Sequence, residues 1–223
     1  AEILKRLKIN IGGVSKLSKE RLLDELRKIT ELETLEKLAN DKITLELIQI
    51  IFPELKNIGV FAKLSSIKKK LLQELDFNFI LSLMIIDKTD NADYFLYKFN
   101  ISKKKQKRIK IIDNFYKEKI GLKTFTENNL NKLFYYEGKQ AVIDIINFKI
   151  INSKKVDKSL VDLVELFKKK SIPIMPISAK ILMLKFKIPE GKQLGLKLKL
   201  IEEEWVKNNF YISDQKLDNI IKN

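Results

Sequence analysis

The sequence predicts an elongated all-α array of helices, and three observations carry that expectation. Gly and Pro are scarce, 7 and 4 in 223 residues, so helices are rarely interrupted and their connections are short. Apolar residues recur at spacings of three and four, as in Leu194, Leu198, Ile201 and Trp205, while few segments alternate with the period of a strand. Short side chains that accept the unpaired N–H groups of a first helical turn precede the periodic segments, among them Ser18, Ser102 and Ser178. A hydrophobic content of 45% is enough for a core at this length. The longest apolar run, Phe77 to Ile86, is interrupted by Asn78 and Ser82 and falls short of the ~20 residues that cross a bilayer. No membrane partner is expected, and the expected location is cytoplasmic.

In chain order, the sequence opens on a helical pattern at Ile3, Leu4 and Leu7, with neither an initiating Met nor a signal-peptide pattern, as expected of a piece of a longer protein. After Gly12-Gly13, Ser18 caps a helix whose apolar stripe is Leu22, Leu26 and Ile29. On it Arg21 and Glu25 stand four apart. An Arg kept in a chain that otherwise uses Lys predicts a forked, partly buried ion pair, because an exposed pair contributes only ~0.3–0.5 kcal/mol. Thr30 and Glu33 form a capping box for a short helix of Leu32, Leu35 and Leu38 that stops at Asn40-Asp41. Thr44 caps Leu45 to Phe52, which ends at Pro53. From Ser65 or Ser66 a longer helix is predicted to run to Asp87, basic at Lys68, Lys69 and Lys70 and apolar at Leu71, Leu72, Leu75, Phe79 and Leu83. A helix from Asn91 to Phe99, one capped by Ser102, and the pair Thr126 to Tyr136 and Gly138 to Phe148 follow. Ser159 to Lys170 ends in cations, as the helix dipole favours. Ser178 caps the next helix, Gly191 or Lys192 opens the one that carries Trp205, and Asp214 to Ile221 closes the sequence.

The chain has no Cys and no His, which removes disulfides, thiolate metal sites and imidazole bases together. No Asp-x-Asp pair and no Gly-rich phosphate loop are present; Gly12-Gly13 is followed by Val14. Glu202, Glu203 and Glu204 occupy consecutive helical positions that point in different directions, which reads as a solvated face rather than a metal site. No catalytic residue, metal ligand or cofactor is therefore expected within these residues. The formal charge of +15 points to a polyanionic partner, although a Lys-rich, Ile- and Asn-rich composition also follows from A/T-rich coding. All basic residues except Arg6, Arg21, Arg27 and Arg108 are Lys, a point charge suited to phosphates rather than to reading bases. Lys103, Lys104, Lys105, Lys107, Arg108 and Lys110 crowd the first turns of one helix, where each cation near the end opposes the dipole at a cost of about 0.3–1 kcal/mol. They read either as a phosphate-binding cluster or as a solvated face. Gly191, Lys192 and Gly195 open another helix and offer unpaired N–H groups to a phosphate; Gly195 alternatively lets that helix pack closely on a neighbour. Tyr135 and Tyr136 are candidates to stack on a base, with one of them expected in the core.

Taken in order, the Ser18-x-Glu20-Arg21-Leu22 segment with Glu25-Leu26, then Phe52-Pro53-Glu54-Leu55, and then Pro189, Gly191, Leu194, Gly195 and Trp205 resemble class II tRNA nucleotidyltransferases, the bacterial CCA-adding enzymes and their poly(A) polymerase relatives. Ser18, Glu20, Arg21, Leu22, Glu25 and Leu26 stand in the places of the family's neck motif. Phe52, Pro53, Glu54 and Leu55 reproduce its Phe-Pro-Glu-Leu, and Leu96 to Ser102 is similar to its lead into a body helix. Leu133, Tyr135, Gly138 and Asp144 resemble a further body motif. Pro189, Gly191, Leu194, Gly195 and Trp205 resemble its tail, with Glu190 inserted, whereas Ala179 and Ile181 depart from the Gly and Asp usual after Pro176. The resemblance covers the family's C-terminal part only. It implies neck helices over 1–60, a body over 61–155 and a tail over 156–223, an arm that holds the acceptor and T arms of tRNA. The catalytic head, with its Mg²⁺ and nucleotide, is expected elsewhere, in cis or in trans, so this chain alone is not expected to polymerise nucleotides. The implied RNA-binding residues are Lys68, Lys69, Lys70, Lys103, Lys104, Lys105, Lys107, Arg108, Gly191, Lys192 and Gly195, with Ser18, Glu20, Arg21 and Glu25 structural. A stand-alone basic RNA-binding module and an adaptor for acidic proteins are the alternative expectations.

Overall fold

Side-chain caps and apolar stripes set where the helices begin and which faces they bury. The computed structural model describes residues 5, 6, 9–118 and 124–222, and among these it contains thirteen α-helices, two short 3-10 turns and no strand. The predicted opening helix at Ile3, Leu4 and Leu7 lies outside the described residues. The chain folds into two compact units. One comprises Ala1–Gly121 and Asp144–Val161, the other Leu122–Ile143 and Asp162–Asn223.

In the first unit, α1 (Lys19–Lys28) starts at Ser18, whose hydroxyl oxygen accepts from the Arg21 N–H at 3.2 Å. The predicted capping box after it does not form. Thr30 instead donates its hydroxyl to the Arg27 carbonyl at 2.6 Å and closes α1, and α2 (Leu32–Asn40) begins without a side-chain cap. Asp41, not Thr44, caps α3 (Lys42–Ile51): its carboxylate accepts from the Ile43 N–H at 3.0 Å and from the Thr44 hydroxyl. A carboxylate takes both donors at once, which explains why it wins over the hydroxyl.

The long helix predicted from Ser65 to Asp87 is two helices. Ser65 caps α4 (Ser66–Gln73), and Asp76 starts α5 (Phe77–Ile85) by accepting from the Phe79 N–H at 3.1 Å. Every residue from Phe79 to Ile85 is buried, as befits a helix that is apolar all round. It packs against α6 (Asn91–Lys98) and α7 (Lys103–Lys117). Ser102 holds the N-cap position of α7 but makes no side-chain cap bond. The Phe52-Pro53-Glu54-Leu55 segment lies in this core. Phe52 and Leu55 are buried, buried Glu54 accepts from Lys98 Nζ at 2.8 Å, and Phe52 packs its ring 5.6 Å from Phe99.

In the second unit, Thr126 caps α8 (Glu127–Glu137), and Gly138, with φ +85°, ends it in a conformation that favours glycine. Two helices run through the division between the units: α9 (Lys139–Asn152) and α10 (Lys158–Lys169). Ser178 caps α11 (Ala179–Phe186), accepting from the Ile181 N–H at 3.3 Å. The Leu194, Leu198, Ile201 stripe of α12 (Lys192–Lys207) packs with Leu182 and Ile188, and with Leu217 of α13 (Asp214–Lys222), in one cluster. At the far end of α12, Trp205 meets Phe210 at 5.0 Å and Tyr135 at 5.5 Å between ring centroids. Among the described residues no helix is long and apolar enough to cross a membrane.

Candidate nucleic-acid interface

The neck-type motif on α1 does not make the predicted clamp. Arg21 is exposed, and Glu25, 55% exposed, pairs with Lys28 at 2.8 Å instead. The hydrogen bond and charge of Lys28 hold the Glu25 carboxyl below its usual range, with Arg21 adding only a more distant attraction. Glu20 is also exposed. Ser18 alone of this set does its predicted structural work.

The basic head of α4 separates into three fates. Lys68 is 7% exposed. Its ammonium donates to the carbonyls of Ile151 at 2.8 Å and Ser153 at 2.5 Å, closing the C-terminal end of α9. Desolvation lowers its pKa from the ordinary lysine value. Lys69 pairs with Glu36 at 2.8 Å. Lys70 is exposed and has no partner among the described residues. Lys68 is thus corrected from an RNA-binding candidate to a structural group, since its ammonium is buried and its hydrogen bonds go to two carbonyls of the chain itself.

Arg108 receives the same correction. Its Nε and Nη2 donate to the two carboxylate oxygens of Asp144 at 2.6 and 3.0 Å, and its Nη1 donates to Asp76. Asp144 is fully buried and Arg108 partly so. The hydrogen bonds and charge of Asp144, then those of Asp76, raise the guanidinium pKa. The forked Arg pair expected at Arg21 is therefore found here, joining α7, α9 and the start of α5.

The other cations of α7 divide by position along the helix. Lys110 pairs with Asp93 at 3.0 Å. Lys117 pairs with Asp113 at 2.9 Å and with Asp90 and Asp93 at 3.3 Å each. Lys103, Lys104 and Lys105, in the first turn, are exposed and have no acidic partner among the described residues; Lys107 is exposed as well. The exposed lysines without an acidic partner among the described residues, Lys103 to Lys105, sit at the N-terminal end of this helix, where the dipole opposes them.

The start of α12 carries Gly191 as its N-cap, with φ +144° and ψ −167° and no side-chain cap bond. That conformation is accessible essentially to glycine alone. Lys192 beside it is exposed and has no partner among the described residues. Gly195 is helical and exposed, and a Cβ built there meets nothing within 4 Å. The close helix packing considered for Gly195 is thereby excluded, and the residue leaves an open, side-chain-free patch one turn into the helix. Opposite substitution effects follow at these glycines. Gly191→Ala is expected to lose about 1–3 kcal/mol through backbone strain, and Gly195→Ala to gain up to ~1 kcal/mol through helix propensity, both read as shifts in urea midpoint.

Glu202, Glu203 and Glu204 are not simply solvated. Glu202 accepts from the Tyr135 hydroxyl at 2.7 Å, Glu203 stands 3.8 Å from Lys199, and Glu204 accepts from Asn208 at 2.8 Å. Among the described residues no group of three or more carboxylates could hold a metal ion. A cavity of about 630 Å³ between α8 and α12 is lined by Tyr136, already a stacking candidate from the sequence, and by Lys132, Lys207, Glu202 and Glu203, which the sequence did not single out for binding. The four-residue spacing of Asn128, Lys132 and Tyr136 was its visible trace. No family model and no curated protein matches this chain.

Proposed function

We propose that this chain is a cytoplasmic RNA-holding helical arm, the neck, body and tail portion of a tRNA nucleotidyltransferase of CCA-adding or poly(A) polymerase type. In this reading it grips the acceptor and T arms by phosphate and shape contacts so that the 3′ end reaches a catalytic head outside these residues. The observation that carries the RNA reading is the first turn of α7: Lys103, Lys104 and Lys105 are unpartnered among the described residues, whereas Arg108, Lys110 and Lys117 on the same helix are all paired. Local stability opposes cations at that end, and a polyanion compensates them. Lys70 and Lys192 add solvent-facing cations of the same kind; Gly191 and Gly195 add no side chain, and the Gly195 N–H already donates to the Gly191 carbonyl at 3.2 Å. A-form RNA presents its backbone and a shallow minor groove, which point charges and helix N–H groups can track without reading sequence. The nucleotidyltransferase part of the proposal rests on the ordered motif resemblance from Ser18 to Trp205.

The test is the triple replacement of Lys103, Lys104 and Lys105 by Gln. Affinity for a tRNA is expected to fall on the order of tenfold at moderate salt, and the slope of log affinity against log salt to become shallower by about 2–3. Unchanged tRNA affinity, with a loss of binding only toward acidic proteins, would replace the RNA reading with that of a protein adaptor.

A further inference from the structure

Beyond the duplex contacts, the second unit contains a cavity that those contacts do not use. We infer that the cavity between α8 and α12 takes one unpaired nucleotide of an RNA chain, its base against Tyr136 and its flanking phosphates toward Lys132 and Lys207. At about 630 Å³, it is in the ~300–1,000 Å³ range of pockets that enclose small ligands.

Its two walls are helix faces. Asn128, Lys132 and Tyr136 follow one another at intervals of four on α8, and Lys199, Glu203 and Lys207 do the same on α12, so each set forms a single stripe. Tyr136 is 45% exposed. Its neighbour Tyr135 is held by the hydrogen bond to Glu202 and by edge contact with Trp205, and it braces Tyr136 edge-on at 5.1 Å between centroids. Tyr136 thus presents an aromatic surface with a fixed backing, the requirement for stacking a base at small entropic cost.

Around that surface three lysines, Lys132, Lys199 and Lys207, stand against two carboxylates, Glu202 and Glu203, which leaves the lining net positive. Lys132 and Lys207 are exposed and have no acidic partner among the described residues. Glu202 accepts from the Tyr135 hydroxyl and keeps its charge, and Glu203 stands 3.8 Å from Lys199; burial, then the charges of both carboxylates, push the Tyr136 hydroxyl pKa up, so the phosphates belong toward Lys132 and Lys207 and not beside that hydroxyl. Asn128, exposed at the mouth, supplies an amide that both donates and accepts, as a base edge or a 2′-hydroxyl requires. A duplex keeps its bases stacked inside, so only an unpaired base offers its face to Tyr136.

This inference rests on the RNA reading above, and its test separates the two. A single-stranded RNA pentamer carrying 2-aminopurine at its centre and a blunt RNA duplex are each titrated with the full chain. The pentamer is expected to bind with quenching of the 2-aminopurine fluorescence. Tyr136→Ala should abolish the quench and weaken pentamer binding about tenfold while leaving duplex affinity unchanged. Lys132→Gln with Lys207→Gln should weaken pentamer binding and flatten its salt dependence without removing the quench at saturation. Circular-dichroism melting checks that these surface variants fold. Wild-type pentamer affinity and quench in Tyr136→Ala would overturn the pocket, as would duplex binding with no pentamer binding, and both leave the duplex-holding arm standing. Pentamer binding with the expected losses but no duplex or tRNA binding supports the pocket and removes the arm.

Discussion

Arg108→Ala is expected to destabilise the protein by about 3–5 kcal/mol, because it removes the two-pronged guanidinium contact from a buried carboxylate. Asp144 is fully buried and receives two hydrogen bonds from the guanidinium, which also reaches Asp76. Removing the Arg costs the desolvation of Asp144 and frees Asp76, an N-cap carboxylate whose pKa Arg108 helps hold below the usual value. Arg108→Lys should recover only a small part of the loss, since a single ammonium cannot occupy the fork. Replacing both partners, Arg108→Met with Asp144→Leu, should lose far less than Arg108→Ala, because no unpaired charge remains buried. Urea unfolding followed by circular dichroism measures all three. A loss below about 1 kcal/mol for Arg108→Ala would mean that the fork is solvated like a surface pair.

Lys68→Ala is the second large expected loss, about 3 kcal/mol, from two charge-assisted hydrogen bonds to carbonyls and the buried stem of the side chain. The carbonyls of Ile151 and Ser153 end α9, where helix geometry leaves them without intrahelical donors. Lys68→Met keeps the stem and removes the ammonium, so the difference between Met and Ala isolates packing from hydrogen bonding. The pH dependence has a definite sign. Desolvation holds the folded pKa of Lys68 below 10.5, so between the folded pKa and 10.5 the unfolded chain binds this proton more tightly. Stability contributed by Lys68 therefore rises with pH through that window, and Lys68→Met should remove this part of the rise. RNA affinity at a temperature where both variants are folded should be unchanged, which separates Lys68 from Lys103, Lys104 and Lys105.

These residues also show what the sequence could and could not disclose. Helix starts were legible where one short polar side chain precedes a clear stripe, as at Ser18, Thr126 and Ser178, and where a glycine breaks the chain just before it, as at Gly191. They were misplaced where caps compete within a few residues, as at Thr30, Thr44 and Asp76, because the winning acceptor depends on geometry that periodicity does not contain. The rule that a rare Arg marks a forked pair was sound, but spacing of four pointed to Arg21 and Glu25. The real pair, Arg108 with Asp144, lies 36 residues apart and needed the packing of α7 on α9. Likewise Lys68, Lys69 and Lys70 are alike in sequence, and only the tertiary environment makes one a buried cap, one an ion pair and one a solvent-facing cation. The Lys103 to Lys105 cluster was legible as charge, since its place at a helix start follows from local signals alone.

The RNA-holding reading is tested most directly by the affinity of this chain for a tRNA lacking its CCA end, compared with single-stranded RNA of equal length over a salt series. Preference for the tRNA, with log affinity falling by roughly 0.7–0.9 per phosphate contact for each decade of salt, is the result expected of an arm that tracks RNA shape. Equal affinity for both RNAs, or no binding at moderate salt, would contradict it.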